Sequence, residues 1–183
     1  MQVEVIVNVA SRFPSLKQLA PVYSVIVVAI YGFSIIRFFW RVPSLINYST
    51  VGQVGVIFSY MVVVNLIESL MIICAPIALS MILPGKWFFE QFVAKGILLV
   101  SLVLGYFGYI SSHINTEEDF PYLLFRWAPL VLALILVLVF LLARIKFLTK
   151  ILEWVAEQLQ VFLLLSLPVS AIALVVVLIR NIF

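Results

Sequence analysis

A chain of 183 residues that is 66% hydrophobic and only 10% charged cannot solvate the surface of a soluble domain, which takes about 25% charged residues. Mean hydropathy is +1.28, and the solvent that suits this composition is lipid. The net charge of +3 is spread as single Lys and Arg residues at the ends of apolar runs, which is the pattern of membrane topology and headgroup contact and excludes a nucleic-acid surface.

Residues 1–19 form a leader. Val3, Val5, Val7 and Val9 alternate as in a strand, but Glu4, Asn8, Ser11 and Arg12 share one helical face, and an isolated strand finds no partner in a helical chain. An amphipathic interfacial helix is expected there. Residues 20–39 make the first span, closed by Arg37, Trp40 and Arg41, an indole and two cations suited to the headgroup level. No small-residue cleavage pattern follows, so it reads as a retained span. A link from Val42 to Gln53 holds Pro43, and Thr50 with Gln53 has the spacing of a capping box. The second span, 54–83, contains Pro76, a natural kink point, and stops at Pro84-Gly85. It exceeds a hydrocarbon core at about 1.5 Å per residue, so it must tilt, kink or protrude.

The third span is 93–110 and the fourth 122–142, separated by the polar stretch Ser111 to Asp119; Asp119 and Pro121 suit the opening of a helix. Residues 145–160 differ in kind. Lys146, Thr149, Lys150, Glu153, Glu157 and Gln160 form a polar stripe opposite Ile145, Leu148, Leu152, Val155 and Leu159, as in a helix lying at the membrane surface. The last span is 161–182. The fold class that follows is all-α: one polytopic membrane domain, 1–183, of about five transmembrane helices and an interfacial helix. Cations favour the side of the leader (Arg12, Lys17, Lys86, Lys95, Arg144, Lys146, Lys150) over the other (Arg37, Arg41, Arg126, Arg180), which places the N-terminus in the cytoplasm.

Glu68 is the ionisable residue deep inside a span, and Asn65 lies on the same helical face three residues earlier. A central acid costs about 2.5–3.5 kcal/mol on insertion scales, so it is expected to face the bundle interior with a partner. Tyr106, Tyr109 or a hydroxyl from another helix could supply one. Glu68 with Asn65 is then either a proton- or cation-binding site or a structural pair bonded across helices. Two stripes of small residues read as helix-packing faces: Ser101, Gly105, Gly108 and Ser112 in the third span, and Ser166, Ser170 and Ala173 in the last.

The single cysteine, Cys74, excludes an intrachain disulfide, and the single histidine, His113, cannot supply a bis-histidine site. Glu117, Glu118 and Asp119 read as a solvated acidic loop rather than a cation site. No constellation of converging polar groups suggests catalysis, and no cofactor or metal is expected. The partners expected are the lipid bilayer and other membrane subunits or further copies of the chain. Two function classes follow: a non-catalytic membrane subunit or scaffold, and a small proton- or cation-coupled transporter using Glu68.

Overall fold

The computed structural model describes residues 13–85, 87–113 and 122–182, and every regular element among them is helical. Six α-helices follow in order: α1 (Leu16–Tyr48), α2 (Val51–Ile82), α3 (Phe92–His113), α4 (Tyr122–Leu142), α5 (Lys146–Leu159) and α6 (Val161–Ile182), with a 3-10 turn, Phe89–Gln91, before α3. The helices α4 and α6 have the expected bounds, and α5 loses one residue at each end, within the usual uncertainty of helix termini.

The first helix corrects the expectation at both ends. It takes up residues 16–19 of the leader, whose residues 1–12 lie outside the described residues, and it runs on through Arg37, Trp40, Arg41 and Pro43 to Tyr48. The residues Val42 to Tyr48 are therefore helix, not link. Proline removes one backbone donor, but the freed carbonyl can be met by water or neighbouring groups; Pro43 is exposed. The break falls instead at Ser49-Thr50. Thr50 supplies the expected capping box: its N–H donates to Gln53 Oε1 at 2.9 Å, and Gln53 N–H donates to Thr50 Oγ1 at 3.4 Å.

The helices α1, α2 and α6, and α3 together with its preceding turn, are each long and apolar enough to cross a membrane. Helix α4, with 21 residues, reaches about 31 Å at 1.5 Å per residue, near the thickness of a hydrocarbon core. Its described part bends by 102° into α5. If α4 crosses the bilayer, α5 lies along its surface.

Packing centres on α1, which touches α2, α3, α5 and α6. Its residues Val22, Ile26, Val27, Ile30 and Tyr31 are buried. Helix α3 approaches closely at Gly96, where a Cβ would sit 3.1 Å from a methyl of Val22. Phe88 and Phe92 are fully buried and meet edge to face, with ring centroids 6.1 Å apart. Hydrogen bonds between helices join the same hub. Tyr23 meets Ser69 of α2 at 3.0 Å, Ser24 donates to the Ala156 carbonyl of α5 at 3.1 Å, and Tyr31 meets Ser170 of α6 at 2.8 Å. In lipid such bonds add about 0.6 kcal/mol each on average.

Helix α5 carries three faces. Leu148, Leu152 and Leu159 are partly buried and Ala156 fully, toward the bundle; Lys146, Lys150, Glu153 and Glu157 are exposed on the polar stripe. Phe147, Ile151, Trp154 and Val155 are exposed too, on a third and apolar face. At 3.6 residues per turn these faces divide the helix into rough thirds, which suits a helix bounded at once by protein, water and lipid.

Candidate functional site

Asn65 and Glu68 project from neighbouring turns near the middle of α2, but the bundle treats them differently. Asn65 is buried at 2% exposure, and Ser34 of α1 donates to its Oδ1 at 2.8 Å. Among the described residues the buried Asn65 Nδ2 has no hydrogen-bond partner, an arrangement that usually costs about 1–3 kcal/mol. Glu68 is exposed on the outer surface of the bundle, and it has no hydrogen bond or ion pair among the described residues. The expectation that Glu68 faces the interior is thus corrected. The physical reason is rotation: Ser59, Val62, Asn65, Ser69 and Ile73 form the buried stripe of α2, and position 68 falls at its edge.

Two lateral clefts meet at Glu68. One, of about 310 Å³, lies among α1, α2 and α3, with Phe33, Ser34, Phe107, Gly108 and Ser111 in its walls. The other, of about 440 Å³, runs along α1 and α2 past Ser34, Arg37 and Arg41. Both open sideways. Because α1 continues beyond Trp40, Arg37 lies inside a helix rather than at a span end, and it shares the second cleft with Glu68. The two do not pair: the Arg37 guanidinium stacks 4.4 Å above the Phe33 ring centroid and donates to Ser111 Oγ at 3.3 Å. Neither Tyr106 nor Tyr109 lines these clefts.

The structure brings together Glu68, Asn65, Ser34, Arg37 and Ser111. This set offers a carboxyl, an amide with spare N–H groups, a guanidinium and two hydroxyls. These groups can form charge pairs and hydrogen bonds. Among the described residues no three His, Cys, Asp or Glu side chains gather at metal-binding distance.

The two small-residue stripes are also treated differently. In α6, Ser170 and Ala173 are buried at 1% and 5% exposure, and Ser166 is half-buried. In α3, Ser101, Gly105 and Gly108 are exposed, and nothing lies within 4 Å of a Cβ built at either glycine; the Ser112 side chain lies outside the described residues. Sequence reasoning did not single out Ser34, Tyr23 or Tyr31, though a hydroxyl inside an apolar run is a readable sign of a bond across helices. Gly96 carried no distinguishing signal. Comparison with protein-family models, with curated proteins and with solved structures found no match.

Proposed function

We propose that this protein is a non-catalytic membrane subunit or scaffold, and that the clefts at Glu68 receive a transmembrane helix of another polypeptide. The observation that carries this reading is Glu68 itself, mid-helix on an outer surface and without a hydrogen bond or ion pair among the described residues. A central carboxyl left to lipid is costly, and such residues are ordinarily covered and paired. The uncovered faces of Ser101, Gly105 and Gly108 beside Phe107 support it, because small residues permit close approach of a second helix. The incoming helix would present a donor to Glu68.

A photocrosslinker at Phe107, which is 58% exposed on the cleft wall, tests this in native membranes. After gentle solubilisation, a stoichiometric second polypeptide is expected in the adduct. Glu68→Gln, which retains shape and hydrogen bonding, should keep the partner, and Glu68→Leu should lose it. Crosslinks to lipid alone, with monomeric particles after solubilisation, would refute the subunit reading.

A second reading, a proton- or cation-coupled transporter, is favoured by the unpartnered Asn65 Nδ2 next to Glu68. Under it the particle is a homo-oligomer, and both Gln and Leu at position 68 abolish ion-coupled flux in reconstituted vesicles while the fold stays intact. The exposed small-residue face of α3 favours docking over passage, so the subunit reading stands first.

A further inference from the structure

Another cleft lies where α3 begins and α4 ends. Its volume is about 430 Å³, within the range of about 300–1,000 Å³ typical of small-ligand sites. Lys95, on the first turns of α3, lines it at only 7% exposure. The ammonium donates to the Trp87 carbonyl and lies 5.6 Å from the Phe140 ring centroid. Both contacts steady a cation, and neither neutralises it. A lysine that merely snorkels keeps its head in water; this one is withdrawn, and a buried charge ordinarily has a counter-charge. Glu90 is near enough to act on Lys95 electrostatically but forms no ion pair with it and does not line the cleft.

The rest of the cleft is built in two parts. Arg144 and Gln91 are exposed at the rim, with Trp87. Below them Leu141 and Val137 line the cleft, and beyond it Leu134 and Leu130 continue the same exposed apolar face along α4, at the i, i+4, i+7, i+11 spacing of a helical stripe. Two cations above an open hydrocarbon track form an amphiphile's outline in negative.

We propose that this cleft binds the phosphate of an anionic glycerophospholipid, with Lys95 and Arg144 as its charge partners and the α4 face as the bed of one acyl chain. Basic pockets between transmembrane helices bind acidic headgroups by the same electrostatics. A free phosphate ion would satisfy the cations but leave the apolar track unused.

The test uses the full chain in nanodiscs of phosphatidylcholine with a minority of phosphatidylglycerol, followed by native mass spectrometry. The wild type is expected to retain one phosphatidylglycerol. Arg144→Gln, at an exposed position, and Lys95→Met, which keeps the apolar stem, should each reduce retention about tenfold or more, as expected for losing a charge-assisted hydrogen bond. Circular dichroism checks that each variant folds, and Arg144→Gln decides the matter if Lys95→Met does not. Equal retention by wild type and Arg144→Gln would overturn the proposal. So would equal retention of phosphatidylcholine, or displacement of the lipid by inorganic phosphate at matched concentration, which would assign the cleft to a soluble anion.

Discussion

Two glycine environments in α3 show how much a single residue's neighbours decide. At Gly96 a Cβ would lie 3.1 and 3.3 Å from the two methyls of Val22, which is fully buried and has little room to yield. Overpacking of this kind costs about 1–3 kcal/mol, while alanine's better helix propensity returns up to about 1 kcal/mol. Gly96→Ala should therefore lower stability in a mixed-micelle unfolding titration, and Gly105→Ala, with open space around it, should hold or raise it. A Gly96→Ala protein as stable as wild type would show that α1 and α3 can part without cost. The sequence made Gly105 and Gly108 conspicuous through their spacing with Ser101 and Ser112, and left Gly96 unremarked. Spacing shows where a close approach is permitted; it does not say which helix arrives. Glu68 was legible as an oddity for the same reason that its direction was not. Composition reveals a carboxyl among apolar residues, but a small rotation of α2 decides whether it points inward or out.

At the scale of elements, the sequence was read well where apolar runs end in strong signals. Thr50 with Gln53 marked the start of α2, and Pro84-Gly85 its end. It was read poorly at α1, where Pro43 looked like a stop but lies within the helix. A proline is a local cost of about 3 kcal/mol in a soluble helix, yet a long membrane helix can absorb it when the freed carbonyl finds another partner. The polar stripe of α5 was legible, but its division of the apolar side was not, because period alone does not distinguish a neighbouring helix from lipid. This division gives a three-way expectation for single spin labels. A label at Lys150 should respond to an aqueous relaxant, one at Phe147 to oxygen dissolved in lipid, and one at Leu152 weakly to both. Equal responses at Lys150 and Phe147 would mean that α5 is surrounded by a single solvent, and the surface position would be abandoned.

For the whole molecule, helix number and class followed from hydropathy, but the arrangement did not. Helix α1 is apolar nearly all round, and such a helix belongs inside a bundle. The same is true of α6, which the structure sets at the edge with 11% of its apolar window buried. Hydropathy alone would put α6, the more apolar of the two, at the centre; the hydroxyls of Tyr23, Ser24, Tyr31 and Ser34 favour α1 instead, through the partners they meet. Orientation rests on the excess of Lys and Arg on the leader's side. It predicts that, in a Cys74→Ser background, a cysteine at Glu118 reacts with an impermeant thiol reagent on intact cells and one at Lys86 does not. Labelling at 86 alone would invert the topology, and labelling at both would mean a mixed population.

The bond between Tyr31 and Ser170 also has a history in time. Its ends lie 139 residues apart, and translation proceeds at about 5–20 residues per second, so roughly 7 to 30 s separate the emergence of the two hydroxyls from the ribosome. Through that interval the first helix is already made while the last does not exist. A phenol in hydrocarbon without a hydrogen bond carries a desolvation cost until its partner arrives. A nascent chain stalled before α6 would therefore hold Tyr31 without the bond that ties the first helix to the last.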